Sequence, residues 1–203
     1  MPSYLLKFKK TYSVKIGGRR YPVVKIGNQL WMAENLDYKF DGCSIGVSGL
    51  PSTPAAWYYD NDEDTYGIDG PRQCGLLYNW YAAQLLNDNR RSLCPGWHLP
   101  SLNDYESLCT FVGASIAGTL LKSSDVSWAP DWGGTDEYSF GILPTGMNNG
   151  SFAYLGQYTD FKTTTTNSNG TPLDARFSTG TSYTSITNWK TTAGPIRLIK
   201  DAT

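Results

Sequence analysis

The chain has 203 residues, of which 17 are basic and 18 are acidic, and its formal net charge is −1 at pH 7. This balance argues against a nucleic-acid-binding surface, and the length suits a single domain with a sizeable core. Charged residues make up only 17% of the chain, whereas 21 residues are glycine and 14 are tyrosine, a composition typical of loop-rich β proteins outside the cell.

The N-terminal segment, residues 1–13, is predicted to be an arm that precedes a single domain of residues 14–203. The segment lacks the apolar core of a secretory signal, and no later run approaches the roughly 18 apolar residues of a membrane span. We therefore expect no membrane insertion. We expect the protein in a virion or on a cell surface, and we favour the virion because no export signal is visible.

The first regular elements are two near-identical tetrads, residues 14–17 and 24–27, followed by residues 30–32. Each tetrad ends in a turn made of glycine or of glycine and asparagine, so the three segments are predicted to form an antiparallel meander. Lys15 and Lys25 alternate with apolar neighbours, as expected for a sheet with one solvated face.

Residues 37–72 lack a regular period and are rich in glycine, serine, proline and aspartate, which is typical of a binding loop or an Ω-like loop. Three alternating aspartates in this segment resemble the first half of an EF-hand loop, but Thr65 and Pro71 replace the glycine and glutamate that such a loop needs. A solvated turn is the favoured interpretation, and a structural calcium ion is the alternative; no other cofactor is expected. The candidate calcium ligands are Asp60, Asp62 and Asp64.

Two helices are predicted. The first covers residues 76–86 and carries Trp80 and Tyr81, which we interpret as core residues because they lie beside leucines at helical spacing. The second runs from Leu102 to Val112, where apolar residues recur at three- and four-residue spacing. Ser101 is its N-cap and Asp104 completes a capping box.

The remaining chain is predicted to be mostly β structure. Residues 118–122 are expected to form a short strand or turn, and Phe140, Ile142 and Leu143 are expected in the core. Residues 176–190 alternate small hydroxyl side chains with large apolar ones, as strands with a polar outer face do.

Four segments together carry a resemblance to a known family. They are IGNQLWMAENL (26–36), GLLYNWYAA (75–83), CPGWHLPSLNDYESL (94–108) and GPIRLIKD (194–201). In this order they resemble the Fibrobacter succinogenes major paralogous domain family. The resemblance implies an α+β, C-type-lectin-like fold with two helices packed on small antiparallel sheets, long loops and paired terminal strands. It also implies that Ile196 and Leu198 lie beside the first meander.

The residues that could perform catalysis are few. The four cysteines show no Cys-X-X-Cys spacing and the only histidine is His98, so a zinc site is not indicated. Relatives often have a cysteine where this chain has Leu198, which argues against a disulfide at Cys94, and we expect free, mostly buried thiols. The resemblance extends to sulfatase-modifying proteins, which act through two cysteines in their C-terminal half, whereas no cysteine follows Cys109. No catalytic residue is predicted, and His98 is interpreted as structural.

The lectin-like resemblance implies a recognition face built from residues 128–189. Calcium-dependent sugar binding cannot be carried over, because the motifs Glu-Pro-Asn, Gln-Pro-Asp and Trp-Asn-Asp do not occur. Aromatic residues scattered among small polar ones are typical of antibody paratopes, and we expect two or three of them to be exposed. The candidate ligand-binding residues are Trp128, Trp132, Tyr138, Tyr154, Tyr158, Tyr183 and Trp189.

These patterns indicate a non-enzymatic recognition or display module. We expect a phage virion component, such as a tail fibre, tail tip or capsid decoration, or a bacterial surface protein, and a host-surface glycan or protein as its partner. Two alternatives stay open. One is a purely structural module that assembles as a homo-oligomer, for example a trimer, or with a carrier structural protein; the other is an enzyme of the sulfatase-modifying type.

Overall fold

The computed structural model of the protein describes residues 12–180 and 183–202 and shows an α+β chain of small sheets and short helices. The strands in these ranges are β1 (Tyr12–Ile16), β2 (Arg19–Ile26), β3 (Gln29–Met32), β4 (Ser44–Ile45), β5 (Ala55–Trp57), β6 (Leu77–Tyr78), β7 (Met147–Asn148), β8 (Phe152–Ala153), β9 (Tyr158–Phe161), β10 (Leu173–Ser178), β11 (Thr184–Thr187) and β12 (Ile199–Asp201). The helices are α1 (Glu63–Tyr66), α2 (Trp80–Asp88), α3 (Arg90–Leu93), α4 (Leu102–Val112) and α5 (Ala117–Leu121), with single 3₁₀ turns at Tyr59–Asn61 and Pro130–Trp132. None of the helices in this part of the chain is long and apolar enough to cross a membrane.

The largest sheet has four antiparallel strands in the order β1-β2-β3-β12. The predicted meander is therefore confirmed, and the closing strand pairs with its third strand, Ile199 opposite Trp31 and Asp201 opposite Gln29. The predicted arm is only partly described: residues 1–11 lie outside the described ranges, and Tyr12 and Ser13 already belong to β1.

Helix α4 connects the first sheet to a second antiparallel sheet of order β11-β10-β9. Tyr105 of α4 lies 4.9 Å from Trp31 and 5.7 Å from Phe161, measured between ring centroids. Both the extent of this helix and its capping box are confirmed, since Asp104 N donates to Ser101 Oγ and Ser101 N donates to the Asp104 carboxylate. The elements of one large apolar cluster thus meet at a single helix.

The start of the first predicted helix was wrong. Leu77 and Tyr78 form β6, which pairs with β5, and α2 begins only at Trp80, after Asn79 accepts a hydrogen bond from Ala82 N. Strand pairing therefore overrides the helical period at Leu77. The buried face of α2 consists of Ala82, Ala83 and Leu86, while Trp80 and Tyr81, predicted to be core residues, are only half-buried.

The prediction of a short strand or turn at residues 118–122 was wrong, because most of these residues belong to α5. Ala117, Gly118 and Leu121 are the buried residues of α5, and their three- and four-residue spacing matches the helical period. Of the three predicted core residues farther on, Phe140 and Ile142 are buried and Leu143 is half-buried.

A buried arginine joins three distant parts of the chain. Arg197 Nε donates to Asn35 Oδ1 at 2.8 Å, and its two terminal nitrogens donate to the carbonyl oxygens of Phe140 and Gly141. The guanidinium also lies 4.6 Å from the Phe140 ring centroid and 5.5 Å from that of Phe161. Complete burial lowers the pKa of Arg197 to about 10, which still leaves the group charged at neutral pH.

We expect Arg197→Met to lower the free energy of unfolding by about 3 kcal/mol or more, because three buried acceptors lose their donor. Urea unfolding of the purified protein measures this change. The matched control is Arg20→Met, which removes an exposed guanidinium and should change the free energy by about 0.5 kcal/mol or less. Equal effects of the two substitutions would show that the buried cation does not stabilise the fold.

Candidate functional site

The seven aromatic residues predicted for the recognition face differ widely in exposure. Trp189 and Tyr154 are exposed, with 79% and 45% of their surface accessible, which agrees with the expectation of two or three exposed rings. Four others are half-buried, and one is enclosed. The half-buried residues are Trp128, Tyr138, Tyr158 and Tyr183.

Trp132 does not lie on an exposed face, which corrects the prediction. Its ring is only 1% exposed, Nε1 donates to the Ile142 carbonyl at 2.8 Å, and Lys122 Nζ lies 4.7 Å from the ring centroid. The indole is fixed within the apolar cluster around α4 and α5, so it offers no ring surface to a ligand.

Three of the half-buried rings also pack mainly against the interior. Tyr183 lies 5.6 Å from Phe177 between ring centroids, and burial raises the pKa of its hydroxyl, which has no hydrogen-bond partner. Trp128 packs beside two apolar clusters under the guanidinium of Arg72, and Tyr138 packs beside one. The side chains at these three positions therefore contribute to the stability of the fold more directly than to contact with a ligand.

Two of the remaining rings, Tyr154 and Tyr158, form a compact arrangement with Arg176 at the edge of the second sheet, here called the ring–guanidinium stack. The two tyrosine rings stack with centroids 4.8 Å apart and planes inclined by 27°. The guanidinium carbon of Arg176 lies 3.9 Å from the centroid of Tyr158. The pairing of β9 with β10 brings Arg176 and Tyr158 to neighbouring positions, since Arg176 is opposite Asp160 and Ser178 is opposite Tyr158.

A network of buried charges holds the stack in place. The Asp160 carboxylate accepts hydrogen bonds from Nε and Nη2 of Arg176, at 2.6 and 2.7 Å. The Asn188 side-chain amide donates to Asp160 at 3.1 Å and to Asp174 at 2.8 Å. Asp174 in turn forms a fully buried ion pair with Lys162 at 2.7 Å. A continuous chain of polar contacts therefore runs from the interior to the exposed rings.

The protonation states of the stack follow from this network. Burial lowers the pKa of Arg176, but the hydrogen bonds and charge of Asp160 outweigh burial, so the pKa is raised. The pKa of Tyr158 is also raised, first by burial and then by the charge of Asp160. The stack thus presents the neutral phenol of Tyr158 beside a permanent cation, which suits stacking and hydrogen bonding.

The candidate calcium ligands do not converge. Asp62 is the N-cap of α1 and accepts a hydrogen bond from Thr65 N at 3.0 Å, while Asp60 lies in the preceding 3₁₀ turn. Across residues 12–180 and 183–202, no three histidine, cysteine or acidic side chains form a group that could hold a metal ion. Asp62 therefore stabilises the start of α1. Asp64 lies in the first turn of the same helix.

The cysteines are free, and three of the four are buried, as predicted. Burial raises the pKa of Cys43 and Cys94 to about 11 and the pKa of Cys74 and Cys109 to about 12. At neutral pH these thiols are protonated and therefore poor nucleophiles.

His98, interpreted as structural from the sequence, contacts the last strand through its backbone. His98 N donates to the carbonyl of Ile199 at 2.9 Å, and Ile199 N donates back to the His98 carbonyl at 3.0 Å. The pair of hydrogen bonds attaches the segment that precedes α4 to the first sheet. This contact gives the backbone of residue 98 a structural role and does not involve the imidazole.

Comparison with known proteins identifies one family. The sequence model of the Fibrobacter succinogenes major domain matches residues 24–200, which is most of the chain. No curated protein and no solved structure matches the chain.

We expect the native protein at pH 8 to react slowly with Ellman's reagent and at no more than one thiol, that of the half-buried Cys43, because the thiolate is the attacking species. After unfolding in guanidinium chloride, all four thiols should react. Absorbance at 412 nm counts the released thionitrobenzoate. Rapid reaction of two or more thiols in the native protein would contradict the buried, protonated state.

Proposed function

The chain belongs to the Fibrobacter succinogenes major domain family, and from this premise we propose that it is a non-enzymatic recognition or display module with a C-type-lectin-like fold. Its partner is a glycan or protein on a cell surface. Its place is outside the cell, on a phage particle, as part of a tail fibre, tail tip or capsid decoration, or on a bacterial surface. The low charge and high glycine and tyrosine content support an extracellular role.

The chain path gives the lectin-like part of the proposal partial support. The closing strand β12 shares a sheet with the first strand β1, but it pairs with β3 at the opposite edge, so the first and last strands are not the paired neighbours that the resemblance implied. The two longest helices, α2 and α4, are accompanied by small sheets and by the long segment between β3 and β6, which has little regular structure.

The observation that carries the proposed function is the ring–guanidinium stack, in which Tyr154 is exposed and Tyr158 and Arg176 are half-buried. The phenol ring of Tyr154 is accessible to solvent. The backbone of Tyr154 has a positive φ of 64°, a conformation that costs a non-glycine residue about 1 kcal/mol. Strain of this kind persists where the surroundings hold it, so the position of this ring is fixed by its environment. Rigid aromatic rings supply contact area at low entropic cost, which is what a binding surface requires.

We also assign Trp189 to this face, because its chain segment is anchored beneath the stack. Trp189 is the most exposed of the large apolar side chains in the described ranges and directly follows Asn188, which is hydrogen-bonded to Asp160 beneath the stack. The network that supports Arg176 therefore also fixes the chain segment that carries the indole. We name the recognition face by four residues: Tyr154, Tyr158, Arg176 and Trp189.

Two features favour binding over catalysis. The thiols have raised pKa values and are mostly buried, so a cysteine nucleophile of the sulfatase-modifying kind has no support. The recognition face itself consists of phenol, guanidinium and indole groups, which bind and orient ligands.

We expect Tyr154→Ala and Trp189→Ala each to weaken binding to a glycan panel or to intact bacterial cells by about tenfold or more, because exposed rings at an interface centre carry much of the binding energy. The matched control is Phe111→Ala, which removes a ring that is 61% exposed on α4, outside the recognition face. Its binding should stay unchanged. Surface plasmon resonance measures the affinities.

The outcome that contradicts the proposal is equal binding by all three variants, or the absence of wild-type binding to every glycan and cell tested. Tyr183→Ala separates the two roles of aromatic residues in this part of the chain. Because Tyr183 packs on Phe177, its loss should lower the free energy of unfolding and leave binding by the folded fraction unchanged.

A further inference from the structure

A polar cavity lies between α3 and the segment that leads into α4. Its volume is about 460 Å³, within the range of about 300–1,000 Å³ that small-ligand sites occupy. Arg90 and Arg91 of α3 line one part, and His98 and Asn87 line others. None of these residues belongs to the recognition face.

Positive charge accumulates around this cavity without balancing ion pairs. Lys200 passes along the wall at Gly96, where its Nζ lies 3.3 Å from the position that a Cβ on this glycine would occupy. In the described parts of the chain, neither Arg90, Arg91 nor Lys200 forms an ion pair with a carboxylate. Because the chain as a whole is nearly neutral, this is a local concentration of charge.

Two acceptors in the lining already have donors inside the protein. Asp104 is the one carboxylate of the lining, and its Oδ2 accepts both the backbone N–H and the hydroxyl of Ser101 at 2.7 Å. The side-chain oxygen of Asn87 accepts Leu99 N at 3.1 Å, so the N–H groups of that amide are what it can offer to a ligand. The three cations Arg90, Arg91 and Lys200 therefore outnumber the one carboxylate at this cavity, and the N–H groups of Asn87 add hydrogen-bond donors.

We propose that this cavity binds the oxyanion of a small polar molecule, a carboxylate, sulfate or phosphate group, through Arg90 and Arg91. The planar guanidinium fork matches the geometry of such anions. Arg90 is held in place because its Nη1 donates to the carbonyl of Asn87 at 2.6 Å, whereas Arg91 is exposed and able to adjust. The site is independent of the recognition face and adds a second, charge-selective contact.

The test is titration calorimetry of the full chain at fixed ionic strength with glucuronate, glucose 6-sulfate, glucose 6-phosphate, inorganic sulfate, inorganic phosphate and neutral glucose. We expect saturable binding of the anions and none of glucose. Binding of the inorganic ions alone assigns the site to free oxyanions; binding of only the acidic sugars assigns it to an anion carried on a sugar.

We expect Arg91→Gln to raise the Kd for the bound anion by about tenfold or more, and the double variant Arg90→Gln with Arg91→Gln to abolish binding. The control Arg20→Gln removes an exposed arginine elsewhere and should leave the Kd unchanged. Tyr154→Ala should also leave it unchanged, which separates this site from the recognition face. Urea unfolding confirms that the variants fold.

Three results would overturn the proposal: no binding of any anion, equal binding of glucose and glucuronate, or an unchanged Kd in Arg91→Gln. The last would mean that the anions bind elsewhere on the protein rather than in the cavity. Because Arg91 is exposed, its substitution should leave folding intact, so this variant gives an answer even if the double variant is unstable.

Discussion

A single buried cation connects the beginning, the middle and the end of the domain. The guanidinium of Arg197 is removed from water, so each of its donors must find an acceptor inside the protein. Asn35 supplies one acceptor just after the meander, and Phe140 and Gly141 supply two more from the far side of the chain. The loops that carry these acceptors are thereby fixed relative to the last strand, and the long irregular segments between them can remain loops without loss of a defined fold.

The sequence predicts those elements whose signals are local. The capping box at Ser101 and the apolar period of α4 define that helix from end to end, and repeated tetrads with glycine turns define the meander. Elements that depend on tertiary pairing are not predictable in this way. Leu77 fits a helical period, yet it lies opposite Trp57 in a strand, and the short helix α5 has too few turns for its period to stand out.

The candidate site shows the same division. The alternation of Asp160 with Lys162, and of Asp174 with Arg176, is visible in the sequence and is typical of charges on one face of a strand. Which charge meets which depends on the register between β9 and β10, and only the structure provides it. Exposure of the rings depends on neighbours distant in sequence, which is why Trp132, predicted for the surface, proved to be enclosed.

The buried ion pair of Lys162 with Asp174 has a consequence for how the surface can evolve. Lys162 and Asp174 lie beneath the exposed rings, and their side chains are fully buried. Substitutions of the exposed side chains therefore leave this ion pair unchanged. In the proposed recognition role, mutations at Tyr154 or Trp189 would alter specificity while the buried ion pair stays intact. In the proposed role, the buried residues preserve the fold while the exposed residues vary. A few nucleotide changes at the exposed positions could then give the protein a new binding target.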